Sequence, residues 1–187
     1  VTPTALPEVK LIVPRRFSDE RGLFAETWNR RAFAEAGIAC DFVQDNHSLS
    51  RQAGTVRGLH FQAPPHAQAK LVRCGRGRLF DAAVDIRKGS PRYGRWAGAE
   101  LSAENGHMLF IPEGFAHGFA ALEPETEIIY KCSAYYAPEA DGALRFDDPE
   151  IGIDWGIDLS RTVLSAKDAA AQGFARFESP FVYEAPR

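Results

Sequence analysis

Between about residue 42 and residue 134 the chain is a succession of short β-rich runs, "TVRGLHFQ", "AKLVRCG", "RLFDAAVDI", "HMLFIP" and "TEIIYKCSAYY", broken by "GRG", "KGSPRYG" and "PEG". Strands this short, spaced by Gly and Pro turns and with no long helical patterns between them, predict a mainly β sandwich or barrel rather than alternating βαβ units. Helices are expected only at the periphery. One is "NRRAFAEAG", with Asn29 as cap and Gly37 at its end; another opens at "SAKDAAAQG", with Ser165 as cap and Gly173 as stop. A length of 187 residues suits one domain, here divided into an N-terminal arm of about residues 1–28, the β body, and a C-terminal helical segment of about residues 165–187.

Period-two alternation sorts the strand side chains by face. Ile128, Tyr130 and Cys132 share one face and Ile129 and Lys131 the other, so Tyr130 belongs to an apolar face. Lys70 falls in line with Val72 and Cys74. A lysine on the inward face of a barrel strand calls for an anionic partner.

Net charge is −3, with the basic residues scattered, which argues against a nucleic-acid partner. The three cysteines, Cys40, Cys74 and Cys132, match neither a disulfide framework nor a Cys-type zinc site, and a reducing cytoplasm is expected. No apolar run approaches the roughly 18–20 residues that cross a bilayer, and "VTPTALPEVK" lacks the hydrophobic stretch of a signal peptide, so no membrane association is expected.

His60 stands near the end of the run "TVRGLHFQ", where an imidazole can be a metal ligand, a proton-transfer group or a core side chain bonded to backbone. The spacing of Gly106, Pro112, Gly114 and His117 resembles the second motif of the cupin superfamily, small double-sheet β-barrels, and Gly54 with His60 fits the start of the first. The metal-binding pattern continues with a second His and a Glu. This chain has Gln62 instead, and no acidic residue between Asp45 and Asp81. Two of four usual ligands fall short of the three protein ligands of a catalytic metal site, which favours an acid–base role for His60.

Read as a whole, "RFSDERGLFAETWN", "QDNHSLS", "VRGLHFQ", "AKLVRCGRG", "DAAVDIRKGSPRYGRW", "IPEGFAHGF", "YKCSAYYAP", "IGIDW" and "LSAKD" closely resemble the dTDP-4-dehydrorhamnose 3,5-epimerase family, cupin-type jelly rolls that act on nucleotide-linked deoxysugars. The resemblance implies a catalytic set of His60, Tyr130 and Asp168, no cofactor and no metal. It places Arg21, Glu26, Gln44, Asn46, Arg57, Lys70, His117, Tyr136 and Lys167 around a nucleotide-sugar. It also implies a homodimer whose N-terminal strands cross over, delivering Arg21 and Glu26 to the neighbouring pocket. Where the family has an acidic residue and then a Trp after "YYAP", Asp141 and Phe146 stand in.

Several of these residues have plainer readings. Ser165 and Asp168 form a capping box that could simply finish a helix. Tyr130 could be a packed aromatic, and Arg21 a solvated turn. The chemistry nevertheless asks for these types. Inverting carbons beside a ketone requires a base on one face of the ring and an acid on the other, and the ketone supplies the activation. The implied reaction converts dTDP-4-dehydro-6-deoxy-D-glucose to dTDP-4-dehydro-L-rhamnose. The alternatives are inversion of a single carbon, a metal-dependent cupin, and a non-catalytic sugar-nucleotide sensor.

Overall fold

A computed structural model describes residues 1–185. The strands are β1 (Thr2–Pro3), β2 (Lys10–Ile12), β3 (Arg16–Asp19), β4 (Gly22–Ala25), β5 (Gln44–Ser50), β6 (Val56–Gln62), β7 (Lys70–Arg76), β8 (Arg78–Asp85), β9 (Trp96–Ser102), β10 (Met108–Ile111), β11 (Phe115–Ala121), β12 (Thr126–Cys132) and β13 (Asp141–Ala143), with helices α1 (Arg30–Glu35) and α2 (Ala166–Ala169). They form a six-stranded sheet in the order β1-β2-β10-β7-β12-β5, a five-stranded sheet in the order β13-β6-β11-β8-β9, and a separate β3–β4 hairpin. The named strand pairs are antiparallel, as in the expected double-sheet jelly roll.

Between the two large sheets, Val72, Leu109, Ile111 and Ile128 of the first meet Leu79, Ala83, Leu101 and Phe119 of the second. The second sheet is covered on its other face as well: Val56, Ala82, Val84 and Ala120 pack against Leu144, Phe146, Ile151 and Trp155 from the C-terminal part of the chain. Burial on both faces explains why "DAAVDI" and "FAHGFAA" read as continuous apolar runs rather than alternating ones. Phe146 belongs to this core, its ring 6.4 Å from that of Trp155, and does not face the candidate site.

Alternation holds where strands are regular. Val72, Cys74, Ile128 and Cys132 are all buried inward, and Lys70 joins them at 9% exposure. It fails on β6. His117 pairs with His60 and Phe119 with Arg57, so two steps on β11 answer three on β6. The extra residue is a bulge, and it turns Arg57 and His60 onto the same side. The bulge depends on Gly58, whose φ is +127° and whose absent Cβ would lie 2.5 Å from the Cα of Gly118 and 2.8 Å from the carbonyl of His117. Gly58→Ala is therefore expected to cost about 2–4 kcal/mol, measurable as a fall in the urea midpoint. A loss below about 0.5 kcal/mol, within the range of an ordinary surface change, would contradict this account of the bulge.

α1 is capped as the sequence predicts, Asn29 Oδ1 accepting from Arg31 and Ala32 N–H, and Gly37 follows it at φ +80°. The second helix is shorter than expected. α2 ends at Ala169, Gly173 is not its stop, and the described residues after it contain one 3₁₀ turn, Phe174–Arg176, rather than a helical segment. Tertiary bonds override the Ala-rich propensity: the Gln172 carbonyl accepts from Arg145 N–H and Asp148 accepts from Phe174 N–H. At the other end of the chain, β1 and β2 pair through β10 into this chain's own sheet, so only residues 13–28 of the expected arm lie outside it. Among the described residues no helix is long and apolar enough to cross a membrane.

Candidate active site

Two cavities, of about 230 and 340 Å³, share His60, Lys70 and Tyr130 in their walls. The second sheet supplies His60 and Arg57 from β6 and His117 from β11. The first supplies Lys70 from β7, Tyr130 from β12 and Asn46 from β5. The histidine and the tyrosine thus reach a common space from opposite sheets.

Asp168 arrives from outside both sheets. Val56 N–H bonds to the Val163 carbonyl and Val163 N–H to that of Gly54, while Arg145 N–H bonds to the Gln172 carbonyl. These contacts bracket α2 and hold it against β6. Ser165 caps the helix, its hydroxyl accepting from Asp168 N–H at 3.1 Å and donating to Asp168 Oδ2 at 2.9 Å. The other carboxylate oxygen, Oδ1, accepts from His60 Nε2 at 2.5 Å. The capping box and the dyad are therefore one arrangement: the cap fixes the carboxylate that orients the imidazole. With Nε2–H committed to Asp168, the His60 lone pair is on Nδ1.

Burial pushes the Asp168 carboxyl upward, but the hydrogen bond and charge of His60, with Ser165 and Lys167, hold it below its ordinary value. A carboxyl depressed on folding stabilises the protein above its unfolded pKa of about 3.9, and that contribution disappears as the pH falls through the folded value. Asp168→Asn should accordingly lose Tm less steeply than the parent below about pH 4. Parallel acid limbs would contradict the pairing.

Tyr130 is half-buried in mid-strand with Asn46 as its register partner. Burial pushes its hydroxyl up, helped by Cys132, and outweighs the opposing Arg57 charge and Asn46 hydrogen bond. Burial lowers Lys70 despite the attraction of Cys132, Asp81 and Asp141. The anionic partner expected for Lys70 is absent as a direct ion pair among the described residues. Its ammonium instead lines both cavities.

His117 is buried, with Nε2 3.0 Å from each oxygen of Asp81, itself wholly buried. Burial lowers the His117 pKa against the pull of Asp81. Sequence reasoning missed Asp81, although an acidic residue inside the apolar run "RLFDAAVDI" is the available signal. Ser48 and Phe119, also in the wall, carry no comparable mark.

The second cavity gathers Gln44, Asn46, Tyr136 and Lys167 beside Asp141. Lys167 is ion-paired with Asp141. Two expected residues are not brought in. Arg21 sits at the tip of the β3–β4 hairpin, its side chain 89% exposed and paired with Asp19, and within this chain it is a solvated turn residue. Glu26 accepts from Asn29 before α1 and lines neither cavity.

A family profile described as dTDP-4-dehydrorhamnose 3,5-epimerase matches residues 3–176. A protein of that name from Sinorhizobium fredii is 52% identical over 96% of this chain and 91% of its own length. One from Salmonella typhimurium is 51% identical over 91% of this chain and 93% of its own. The crystal structure of dTDP-6-deoxy-D-glucose-3,5-epimerase from Legionella pneumophila in complex with dTDP-4-keto-L-rhamnose superposes with a TM-score of 0.93 at 43% identity, covering 98% of this chain and 97% of that one. Sequence likeness along nearly the whole chain, joined to the same fold, means that this chain belongs to the dTDP-4-dehydrorhamnose 3,5-epimerase family.

Proposed function

We propose that the protein converts dTDP-4-dehydro-6-deoxy-D-glucose to dTDP-4-dehydro-L-rhamnose, inverting C3 and C5 without a cofactor. The observation that carries this reading is the meeting of His60 and Tyr130, from opposite sheets, in the same two cavities. A ring held between them has a base on one face and an acid on the other. His60 Nδ1 takes the proton from the carbon beside the ketone, becoming an imidazolium that Asp168 stabilises. The electron pair moves onto the ketone oxygen, and the Lys70 ammonium offsets the enolate charge. Tyr130, kept protonated by burial, returns a proton to the opposite face and is left as a phenolate, and proton exchange with water resets both groups. The same cycle serves each carbon.

Arg57, His117, Gln44, Asn46, Tyr136 and Lys167 hold the nucleotide-sugar. Arg57 and Lys167 suit a diphosphate through charge-assisted bonds, and Tyr136 offers its ring to the thymine. The assembly is a homodimer in which the hairpin of one protomer, with the residue that follows it, supplies Arg21 and Glu26 to the other's pocket. Supporting this, among the described residues β3–β4 pairs with no other strand and leaves Phe17, Leu23 and Phe24 exposed at 50–68%, an apolar group of the kind that marks an interface. Full activity from a species that light scattering sizes as a monomer would contradict it. The three thiols are free, in keeping with a reducing cytoplasm.

The reaction is tested by incubating the purified chain with the 4-keto substrate, EDTA and an L-rhamnose-forming 4-ketoreductase. The expected product is dTDP-L-rhamnose at an undiminished rate. Activity abolished by EDTA and restored by a transition metal would overturn the cofactor-free reading.

A further inference from the structure

Gln62 stands two residues beyond His60 on β6, in the place where the metal-binding cupin pattern has its second histidine. It is 4% exposed, and its amide is fully engaged with one irregular segment and the turn beside it. Nε2 donates to the carbonyls of His66 at 2.7 Å and Tyr135 at 3.2 Å, and Oε1 accepts from Ala137 N–H at 2.8 Å. Between the two anchored residues lies Tyr136, whose ring is left largely exposed at the second cavity. Gln44 Oε1 accepts from Tyr136 N–H at 2.9 Å, so the loop is gripped by side chains of both sheets.

The segment joining β12 to β13 has no ladder of its own at Tyr135–Ala137, so the amide of Gln62 replaces the hydrogen bonds that a strand would provide. A buried amide stripped of such partners costs more than the bonds themselves, because the orphaned groups stay desolvated. Tyr136 meets its ligand with one flat face, and a loop free to drift would have to be reordered on every binding event.

We propose that Gln62 is a positioning residue for nucleotide recognition, acting through Tyr136: it ties the Tyr135–Ala137 loop to the strand that carries His60, so that the tyrosine ring and the base nitrogen keep a fixed relation. The proposal rests on the reading that Tyr136 contacts the nucleotide. In place of a metal ligand, β6 carries an amide that registers the two halves of the site.

The test is a double-mutant cycle on dTDP affinity, read by titration calorimetry with Gln62→Met, Tyr136→Ala and the double variant. Gln62→Met is expected to weaken dTDP about tenfold and to raise KM more than it lowers kcat, with the double variant no weaker than Tyr136→Ala alone. An affinity within twofold of the parent, or losses that simply multiply, would overturn the proposal while leaving Tyr136 as a nucleotide contact. If Tyr136→Ala itself binds dTDP like the parent, the underlying reading falls and the proposal with it. Should Gln62→Met fail to fold, Gln62→Glu takes its place in the cycle with the same expectations, since it keeps the acceptor for Ala137 and removes at least one of the two donations.

Discussion

His60→Asn is expected to lower kcat by ~10²–10⁴, the usual loss on removing a general base, with dTDP affinity within about twofold of the parent. Asparagine has no basic nitrogen to accept a carbon-bound proton, and its amide, attached where the imidazole has Nδ1, falls short of the Nε2 position that bonds Asp168. The buried carboxylate keeps its bonds from Ser165 and its place at the helix cap, so the substitution removes chemistry without collapsing the wall. Single-turnover rates and dTDP titration separate the two effects. Equal losses in binding and rate would mark His60 as a structural residue.

Tyr130→Phe should uncouple proton exchange from inversion. The base in this variant still removes a proton and can return it to the face it came from, so solvent deuterium continues to enter the sugar. No acid then serves the opposite face, and net formation of the L-configured product should fall by a factor of about 10²–10⁴. The ring itself keeps the same neighbours, and the loss is confined to one hydroxyl. Exchange and inversion falling together by the same factor would contradict the division of labour between His60 and Tyr130.

How far the sequence reaches can be traced through particular residues. The Asn29 cap, the inward line of Lys70, Val72 and Cys74, and the apolar face of Tyr130 follow from local rules, since caps and regular strands obey them. Arg57 and His60 share a side only because β6 carries an extra residue at Gly58, and a glycine within a strand pattern hints at a bulge without stating which way it turns the chain. The end of α2 at Ala169 is set by hydrogen bonds from Arg145 to Gln172 and from Phe174 to Asp148, partners that local propensity does not see. Asp168 illustrates the same limit. Its spacing from Ser165 reveals the cap, whereas its contact with His60, 108 residues away in sequence, comes from the topology. Arg21 and Glu26 lie outside the cavities of their own chain, and the hairpin that bears Arg21 and runs directly into Glu26 is legible as a unit only once its lack of strand partners among the described residues is known. Gln62 and Asp81 carry little local signal, because a buried amide and a buried carboxylate gain their meaning from what they touch.

The central claim, base and acid on opposite faces acting at two carbons, is tested most directly by running the reaction in D₂O and determining the stereochemistry of the product by NMR after reduction with an L-rhamnose-forming 4-ketoreductase. Deuterium at both C3 and C5, in a product with the L-rhamno configuration, is the predicted result. Deuterium confined to C3, with the D-configuration retained at C5, would contradict it and leave His60 as the base of a single-carbon epimerase.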